Sequence, residues 1–357
     1  MAEKRPNKQL REFALKAQLE DLKVEHARSL RSIKAEATEL RAQNKALLER
    51  VDRAEVELDA YAHTLRDRPD PKPIKRKKRG KRAASESTLV VVASDWHVEE
   101  VVDPSSVGGL NAYNPEVATA RSERFFEGIL RVLEMARAHT RVDSLVLGLL
   151  GDFISGYIHE ELVATTAMPP LEAIDFATDL MRRGLGLLME HGELERIVVP
   201  CVAGNHGRMT RRRWLAKERG TNLEHFMYRR LADDFAGFDG VELSAAESIY
   251  HEGVEVYGRR LRFCHGETLR YNGGLQGMYG RLYKLHLERD RVRPAFWTWA
   301  GHWHQLHLFH GLGGVNGSLI GTSAYGSQFG HEPPRQGWGL IEAERGATAM
   351  GPIFVGE

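Results

Sequence analysis

The sequence predicts an α/β protein that is preceded by a long N-terminal helix. Three observations support this fold class. Apolar, β-branched runs alternate with helical stretches after residue 88 of the 357-residue chain, which is typical of sheets flanked by helices. Residues 8–68 contain no Gly or Pro and are rich in strong helix formers. A basic, proline-rich segment, residues 69–87, separates these two parts and predicts a linker.

The N-terminal segment, residues 8–68, carries an apolar stripe that predicts a coiled coil. Its apolar positions recur three and four residues apart over about five heptads. They are Leu15, Leu19, Leu22, His26, Leu30, Ile33, Ala37, Leu40, Leu47, Val51, Ala54, Leu58, Tyr61 and Leu65. Asn44 interrupts the stripe at a core position, where a single buried Asn fixes the register of a parallel two-stranded coil. We expect self-association through residues 8–68, with a lone charged helix, or one folded back on the body, as the alternative.

The linker has a strongly basic character. Three prolines end the preceding helix: Pro69, Pro71 and Pro73. Residues 72–82 hold eight basic residues and no acidic residue, which predicts a disordered, extended chain. Lys77, Lys78 and Arg79 are candidates for contacts with nucleic-acid phosphates, and a solvated spacer is the alternative.

Composition excludes several classes of protein. No apolar run approaches the roughly 20 residues that span a bilayer, and the N-terminus lacks an apolar signal core. Cys201 and Cys264 cannot form a disulfide scaffold or a CxxC zinc site, so we expect a cytoplasmic protein. Residues 1–88 carry 23 Lys and Arg against 15 Asp and Glu, and the rest carries 27 against 34. This asymmetry predicts an interaction tail on a separate folded body.

The body, residues 88–357, reads as strands separated by helices. The predicted strands are Leu89–Ala93, Leu145–Leu150, Ile197–Val202, Leu261–Cys264 and Phe296–Trp299. The predicted helices cover residues 115–139, 171–191 and 222–236. After residue 305 the chain is rich in Gly and poor in helical signals, which predicts short strands and loops.

Every predicted strand is followed directly by side chains that can bind a metal. The five segments are Ser94–His97, Gly151–Asp152, Gly204–His206, His265–Gly266 and Gly301–His304. Because ligand-binding loops gather where the strands of an open α/β sheet end, we expect these segments to meet. Each motif alone is weak, but five in order predict one metal centre. Mixed oxygen and nitrogen donors suit two divalent ions such as Mn²⁺, Fe or Zn²⁺ and exclude an all-oxygen calcium site.

The ordered series DWH, GD, GNH, HG and GHWH resembles the calcineurin-like metallophosphoesterase superfamily over residues 88 to about 325. The resemblance implies two packed mixed β-sheets flanked by helices in a four-layer sandwich. It implies one ion on Asp95, His97 and His304, and a second ion on Asn205, His265 and His302. It also implies that Asp152 bridges the two ions, of which Mn²⁺ is the expected identity and Fe or Zn²⁺ the alternatives.

The chemistry that the resemblance implies is hydrolysis of a phosphate ester. Two cations clamp the phosphoryl oxygens while an activated water attacks phosphorus. His206 would stabilise the transition state or protonate the leaving oxygen, which suits a side chain that titrates near neutrality. Asp152 and His206 are therefore the expected catalytic residues, and no phosphoenzyme intermediate is required.

Two departures from the family pattern refine this expectation. Gly207 stands where the family often has an acidic residue, so we expect His206 to lack one orienting partner. Asp152 is followed by FISGYIHEEL instead of the Asp-Arg-Gly of protein phosphatases. That segment resembles uncharacterised members carried by tailed bacteriophages and prophages, which implies a place in the host cytoplasm. Within it, His159, Glu160 and Glu161 either line the cleft or form an exposed helix start.

Arginines after His206 suggest the class of substrate. Arg208, Arg211 and Arg212 could hold additional phosphates, with a basic helix face as the alternative, and Trp214 is expected in the core. The leading hypothesis is a metal-dependent phosphodiesterase or nuclease that acts on DNA or RNA. A phosphomonoesterase for nucleotides or phosphoproteins and a non-catalytic coiled-coil adaptor are the alternatives.

Overall fold

The structure is a computed structural model that divides the chain into two units, Met1–Glu57 and Leu58–Glu357. In the second unit it describes residues 72–75, 85–159, 162–210, 220–245, 251–269, 277–289, 294–309 and 311–356. In the first unit it describes isolated positions between residues 19 and 45.

Every described position of the first unit is helical and exposed. Lys23 pairs with Glu20 at 2.7 Å, an i, i+3 contact on the helix surface. Leu19, Leu22 and Leu30 of the predicted apolar stripe are among the exposed residues. Most of the remaining stripe lies outside the described residues, so the coiled coil stays a prediction.

The second unit is built on a six-stranded mixed sheet. Its strands are β1 (Glu86–Ala93), β2 (Arg141–Leu149), β3 (Arg196–Cys201), β4 (Val241–Ala245), β10 (Arg335–Glu342) and β11 (Gly346–Phe354). They lie in the order β11-β10-β1-β2-β3-β4. Neighbours from β1 to β4 run parallel, whereas β10 is antiparallel to both β1 and β11. The carboxyl ends of β1, β2 and β3 therefore open at the same edge.

A second, five-stranded mixed sheet packs against the first. Its strands are β5 (Glu252–Val256), β6 (Arg259–Cys264), β7 (Trp297–Ala300), β8 (His307–Phe309) and β9 (Gly313–Val315). They lie in the order β5-β6-β7-β9-β8, with β6, β7 and β9 parallel and the two edge strands antiparallel. The carboxyl ends of β6 and β7 again share one edge.

Five α-helices complete the unit among the residues that the structure describes. They are α1 (Pro115–Arg137), α2 (Leu162–Thr165), α3 (Pro170–His191), α4 (Leu223–Asp234) and α5 (Gly277–Arg289). Asn114 and Asn222 cap α1 and α4 through their side-chain oxygens, which satisfy free N–H groups of the first turn. Across this part of the chain, no helix combines the length and apolarity needed to cross a membrane.

The alternation of side chains along β1 separates two hydrophobic cores. Leu89, Val91 and Ala93 face the core shared with α1, α3 and α4. Val90 and Val92 face the opposite core, which the second sheet fills with bulky aromatic residues. On the far side of the second sheet, α5 packs through buried residues of its own and of β6, β7 and β9. The result is a helix–sheet–sheet–helix sandwich, the α/β architecture expected from the sequence.

All five predicted strands and the three predicted helices are confirmed, with boundary shifts of a few residues. The structure adds α5, which Gly277 and Gly280 obscure in the sequence. After residue 305 the expected short strands are present as β8 and β9, of three residues each, but β10 and β11 are longer than expected and span eight and nine residues. Their glycines make room for indole rings: a Cβ at Gly339 would lie 2.7 Å from the ring of Trp297.

Residues 72–75 of the predicted linker pair with β5 instead of being disordered. The Ile74 N–H donates to the Glu255 carbonyl at 2.8 Å, and the Tyr257 N–H donates to the Ile74 carbonyl at 2.9 Å. Ile74 is buried against the inter-sheet core. An apolar side chain beside an open edge strand explains this pairing. Lys77, Lys78 and Arg79 lie outside the described residues.

We predict that Gly184→Ala destabilises the protein by about 1–3 kcal/mol, because a buried contact would be overpacked. A Cβ at Gly184 in α3 would lie 1.9 Å from the ring of Phe126 in α1. Gly186→Ala is the matched control in the same helix, since a Cβ there meets nothing within 4 Å. Denaturant unfolding should show a loss for the first variant and none for the second. Equal stability of both variants would contradict the α1–α3 contact.

Candidate metal centre

The polar segments after five strands meet at one place, where the carboxyl ends of both sheets open. Two residues follow β1, two follow β3 and two follow β7, while β2 and β6 supply one each. In chain order they are Asp95, His97, Asp152, Asn205, His206, His265, His302 and His304. Convergence of strand ends therefore brings together side chains that are up to two hundred residues apart in the sequence.

Six of these residues form two groups with the geometry of metal ligands. The first group is Asp95, His97 and His304, and the second is Asp152, His265 and His302. In each group, one ligand atom from every residue lies within 4.8 Å of the others. Asn205 joins the second group, because its Oδ1 lies 3.1 Å from Nε2 of His265.

The first group contains two neutral imidazoles that face each other. Nε2 of His97 lies 3.2 Å from Nε2 of His304. Burial lowers the pKa of His97 well below its ordinary value, and neighbouring His206 and His304 lower it further. Burial likewise lowers the pKa of His304 to about 3. Two unprotonated ring nitrogens beside a buried carboxylate are a donor set that fits a divalent cation.

The second group is oriented by the backbone. Nδ1 of His265 lies 2.6 Å from the Leu150 carbonyl and donates to it, which directs Nε2 into the site. That nitrogen lies 2.9 Å from Oδ2 of Asp152. Burial would lower the pKa of His265, but the Asp152 carboxylate outweighs it and raises that pKa well above the ordinary value. The carboxylate of Asp152 is thus already placed to hold positive charge.

The two groups adjoin each other. The backbone N–H of His302, in the second group, donates to both carboxylate oxygens of Asp95, in the first, at 3.0 Å. Burial raises the pKa of Asp95 to about 7, with His265 opposing and Asp152 adding to the rise. Bound cations beside two buried carboxylates would stabilise their charged forms.

The backbone is strained at five of these positions. Asp95, His97, Asp152, His302 and His304 all adopt positive φ, between 49° and 77°. Such angles are uncommon for residues other than glycine, and they cluster where function requires a fixed side-chain direction. All five residues with positive φ therefore also belong to the two groups of candidate metal ligands.

Two motif glycines permit the close approach of the loops after β2 and β3. Gly151 has φ +84°, and a Cβ there would lie 2.1 Å from the backbone nitrogen of Gly204. A Cβ at Gly204 would in turn lie 2.1 Å from Oδ1 of Asp152. No side chain fits at either position, which explains the glycine of each motif in physical terms.

Ser155 connects the first group to a carboxylate and also orients His206. Its hydroxyl donates to Oε2 of Glu100 at 2.9 Å and lies 2.9 Å from Nδ1 of His97. Because the hydroxyl proton is directed to Glu100, Nδ1 of His97 carries the hydrogen and Nε2 keeps its lone pair for a metal. The sequence analysis missed Ser155, since nothing near it in the sequence signals this role.

His206 is held beside the first group by two hydrogen bonds. Its Nδ1 lies 2.8 Å from the Ser155 carbonyl, and its backbone N–H donates to Oδ1 of Asp152 at 2.8 Å. Its ring lies 4.9 Å from that of His97. Position 207 carries no acidic side chain, and the Ser155 carbonyl orients the ring of His206 instead.

Two buried carboxylates brace the loop after β2. Glu224 accepts the N–H groups of Phe153 and Gly204 at 2.6 Å each, which ties together the loops after β2 and β3. Glu99 accepts the N–H groups of Ser155 and Gly156 at 2.7 and 2.9 Å. Burial raises the pKa of Glu224 to about 8 and that of Glu99 to about 7.

The lack of a side chain at Gly207 leaves space for Glu224 beside the loops after β2 and β3. A Cβ at Gly207 would lie 2.3 Å from Oδ1 of Asn222 and 2.8 Å from Cγ of Glu224. A glycine at position 207 thus leaves space for an acidic residue from α4. The sequence analysis noted the missing acid at 207 but not this substitute, since α4 follows a long segment of chain.

Other predicted site residues are placed as follows. His159 is exposed, and its ring lies 6.0 Å from that of His206. Its carbonyl accepts the Leu162 N–H at the start of α2. Arg208 is half-buried, and its backbone forms a bridge with Asn222. Four further candidates lie outside the described residues: Glu160, Glu161, Arg211 and Arg212. Trp214 lies outside them as well.

Comparisons with known proteins return solved structures only. No protein-family model matches the chain, and no curated protein matches it. The chain is similar to Zn²⁺-complexed Vps29 from Entamoeba histolytica, with a TM-score of 0.30 and 12% identity, covering 74% of this chain and 99% of that one. It is also similar to Vps29 from Chaetomium thermophilum, with a TM-score of 0.27 and 10% identity, covering 74% and 95%. Likeness at this level assigns neither a family nor an activity.

We predict that Ser155→Ala weakens Mn²⁺ binding by about 10–100-fold, the usual effect of removing a partner that orients a metal ligand. Titration calorimetry measures the change. Ser106→Ala is the matched control, because Ser106 is exposed and its hydroxyl donates to the Asp103 carbonyl nearby. Unfolding midpoints of the two variants should agree. Unchanged affinity in Ser155→Ala would refute the orienting role.

Proposed function

We propose that this protein is a metal-dependent phosphoesterase, and specifically a phosphodiesterase that acts on nucleic acid. The observation that supports this proposal is the pair of adjoining donor groups, Asp95, His97 and His304 beside Asp152, His265 and His302. The adjacent, fixed imidazole of His206 supports it further. Two adjoining cation sites beside a proton donor match the requirements of phosphate-ester hydrolysis.

The two groups provide the proposed metal ligands. Asp95, His97 and His304 would hold one ion, Asn205, His265 and His302 would hold the other, and Asp152 would bridge them. Mn²⁺ is the proposed ion, and Fe or Zn²⁺ would suit the same mixed oxygen and nitrogen donors. When bound, two such cations supply Lewis-acid activation of the phosphoryl group and of water.

The chain's own contribution is proton transfer and orientation. The Ser155 carbonyl fixes the Nδ1 hydrogen of His206, so Nε2 is the ring atom free to exchange a proton with substrate. We propose that His206 protonates the departing oxygen of the ester. The Asp152 carboxylate accepts the His206 backbone N–H, which couples the position of this acid to that of the bridging ligand.

The nucleic-acid part of the proposal draws on the basic residues of the sequence. Lys77, Lys78 and Arg79 in the linker could contact phosphates along a polymer, as could Arg208, Arg211 and Arg212 after the His206 motif. A dimer formed through residues 8–68 would present two sites to one strand. Resemblance to phage-carried proteins suggests a cytoplasmic setting in a bacterial host. A monoesterase and a non-catalytic adaptor remain the alternatives that the assays below separate.

We expect two variants to fail in different ways when phosphodiester hydrolysis is measured with Mn²⁺. Asp152→Asn should lose both bound metal and turnover, because it removes a charged ligand. His206→Gln should keep its metal content but lose about 10²–10⁴-fold in kcat on a dinucleotide, whose alkoxide leaving group needs a proton, and much less on bis(p-nitrophenyl) phosphate, whose nitrophenolate does not. Metal analysis and steady-state kinetics on the same samples provide the comparison.

His191→Gln is the matched control, since His191 is exposed at the end of α3. It should behave as the wild-type protein does. A fully active Asp152→Asn variant would refute the metal assignment. Faster hydrolysis of p-nitrophenyl phosphate than of the diester would select the monoesterase, and metal binding without any turnover would select the adaptor.

We expect the full chain to sediment as a dimer. Leu40→Glu combined with Leu47→Glu should yield a monomer, because both substitutions put charge into the proposed apolar seam. Lys45→Glu changes charge at a position outside the stripe and should remain dimeric. Analytical ultracentrifugation distinguishes the states. A wild-type monomer at micromolar concentration would exclude the coiled coil.

A further inference from the structure

An exposed row of aromatic rings lies where α5 meets β8, the edge strand of the second sheet. We call these four residues the aromatic strip: Tyr279, Tyr283, His307 and Phe309. Tyr279 and Tyr283 are each 46% exposed. Their rings stack one helical turn apart, with centroids separated by 6.0 Å and planes inclined by 7°.

The rings of the aromatic strip lie next to one another and pack on a buried hydrophobic cluster. The ring of Phe309 meets that of Tyr279 at 5.3 Å, edge to face, and stacks on His307 at 6.0 Å. Below the rings, Leu282 of α5 is buried against β6, β7 and β9, and Phe309 packs on the same cluster. The rings are therefore fixed on one side, while the two tyrosines and His307 are exposed to solvent.

Trp303 connects the aromatic strip to the candidate metal centre. It lies between His302 and His304 in the sequence, and its ring is 5.2 Å from that of His302. Trp303 packs on the same buried cluster as Phe309. A ligand that lies along the strip would thus approach the metal ligands after β7.

The helix that carries the tyrosines is basic. Residues 277–289 include three Arg and Lys against one Asp or Glu. The body of the chain has the opposite balance, because residues 89–357 carry 27 Lys and Arg against 34 Asp and Glu. Arg281 and Lys284 lie on α5 beside the tyrosines. Positive charge beside stacked aromatic rings suits a polyanion with flat bases, because the charge attracts the phosphates and the rings stack on the bases.

We propose that the aromatic strip binds the bases of single-stranded nucleic acid, with the strand's backbone directed towards the metal centre. Aromatic side chains stack on every base, whereas paired bases in a duplex do not expose their faces. This inference rests on the proposed function, because it supplies the substrate class of the same site. A small phosphodiester needs no contact with the strip, so binding and hydrolysis can be measured separately.

The test measures oligonucleotide binding without turnover. Fluorescence polarisation of labelled oligothymidylate is recorded with the full chain in EDTA at physiological salt. Tyr279→Ala and Tyr283→Ala should each weaken binding at least about tenfold, within the range for losing one stacked base. In parallel with Mn²⁺, both variants should hydrolyse bis(p-nitrophenyl) phosphate at the wild-type rate. Phe238→Ala is the control, a 52% exposed aromatic residue that follows α4 and packs on Phe235 of the other helical layer.

The possible outcomes separate the two proposals. Weaker binding in the tyrosine variants but not in Phe238→Ala, with tighter binding of the single strand than of the matching duplex, supports the strip as a base-binding site. Wild-type affinity in the double tyrosine variant, equal affinity for duplex, or no oligonucleotide binding at all overturns it. Absence of diester hydrolysis in the wild-type protein would refute the proposed function and would leave the binding result to stand by itself.

Discussion

The burial of charged and polar donors at the ends of five strands is the constraint on which the rest of this structure depends. Two carboxylates and several imidazoles leave water together, and an uncompensated buried charge is strongly unfavourable. The pairing of Asp152 with His265 reduces this cost, as do the lowered pKa values that keep His97 and His304 neutral. Cations bound by the two groups would compensate the buried charge of the carboxylates that remains. We infer that this requirement explains why the donors lie together.

The surrounding architecture keeps those donors in place. Ser94 donates to the Asp95 carboxylate, and Asn316 donates to Ser94 at 2.9 Å. Glu224 of α4 fastens the loops after β2 and β3 to each other. These buried, satisfied hydrogen bonds offset the strain of positive φ at the ligand positions. The geometry at this edge thus depends on residues from many elements outside the two ligand groups.

The strands, and the metal-binding side chains next to them, could be predicted because each depends on neighbouring residues in the sequence. Side chains that can bind metal come immediately after each predicted strand. Parallel strand order brings Asp95 and Asp152 to one edge of the first sheet, and packing of the second sheet adds His265. The bracing residues could not be predicted, because the contact of Glu224 with the loop after β2 depends on how α4 packs. Gly277 and Gly280 obscure α5 in the sequence. The glycines of the C-terminal strands make those strands look irregular, although they leave space for Trp297 and neighbouring rings. The aromatic strip combines residues of α5 and β8, and neither element has a recognisable motif.

The most direct test of the central claim is anomalous diffraction from crystals of the full chain grown with Mn²⁺. The account predicts two peaks, about 3.5–4 Å apart as in other two-metal sites. One peak should lie among Asp95, His97 and His304, and the other among Asp152, His265 and His302. Crystals without a peak at these residues, or with manganese bound only elsewhere, would contradict the existence of a two-metal centre.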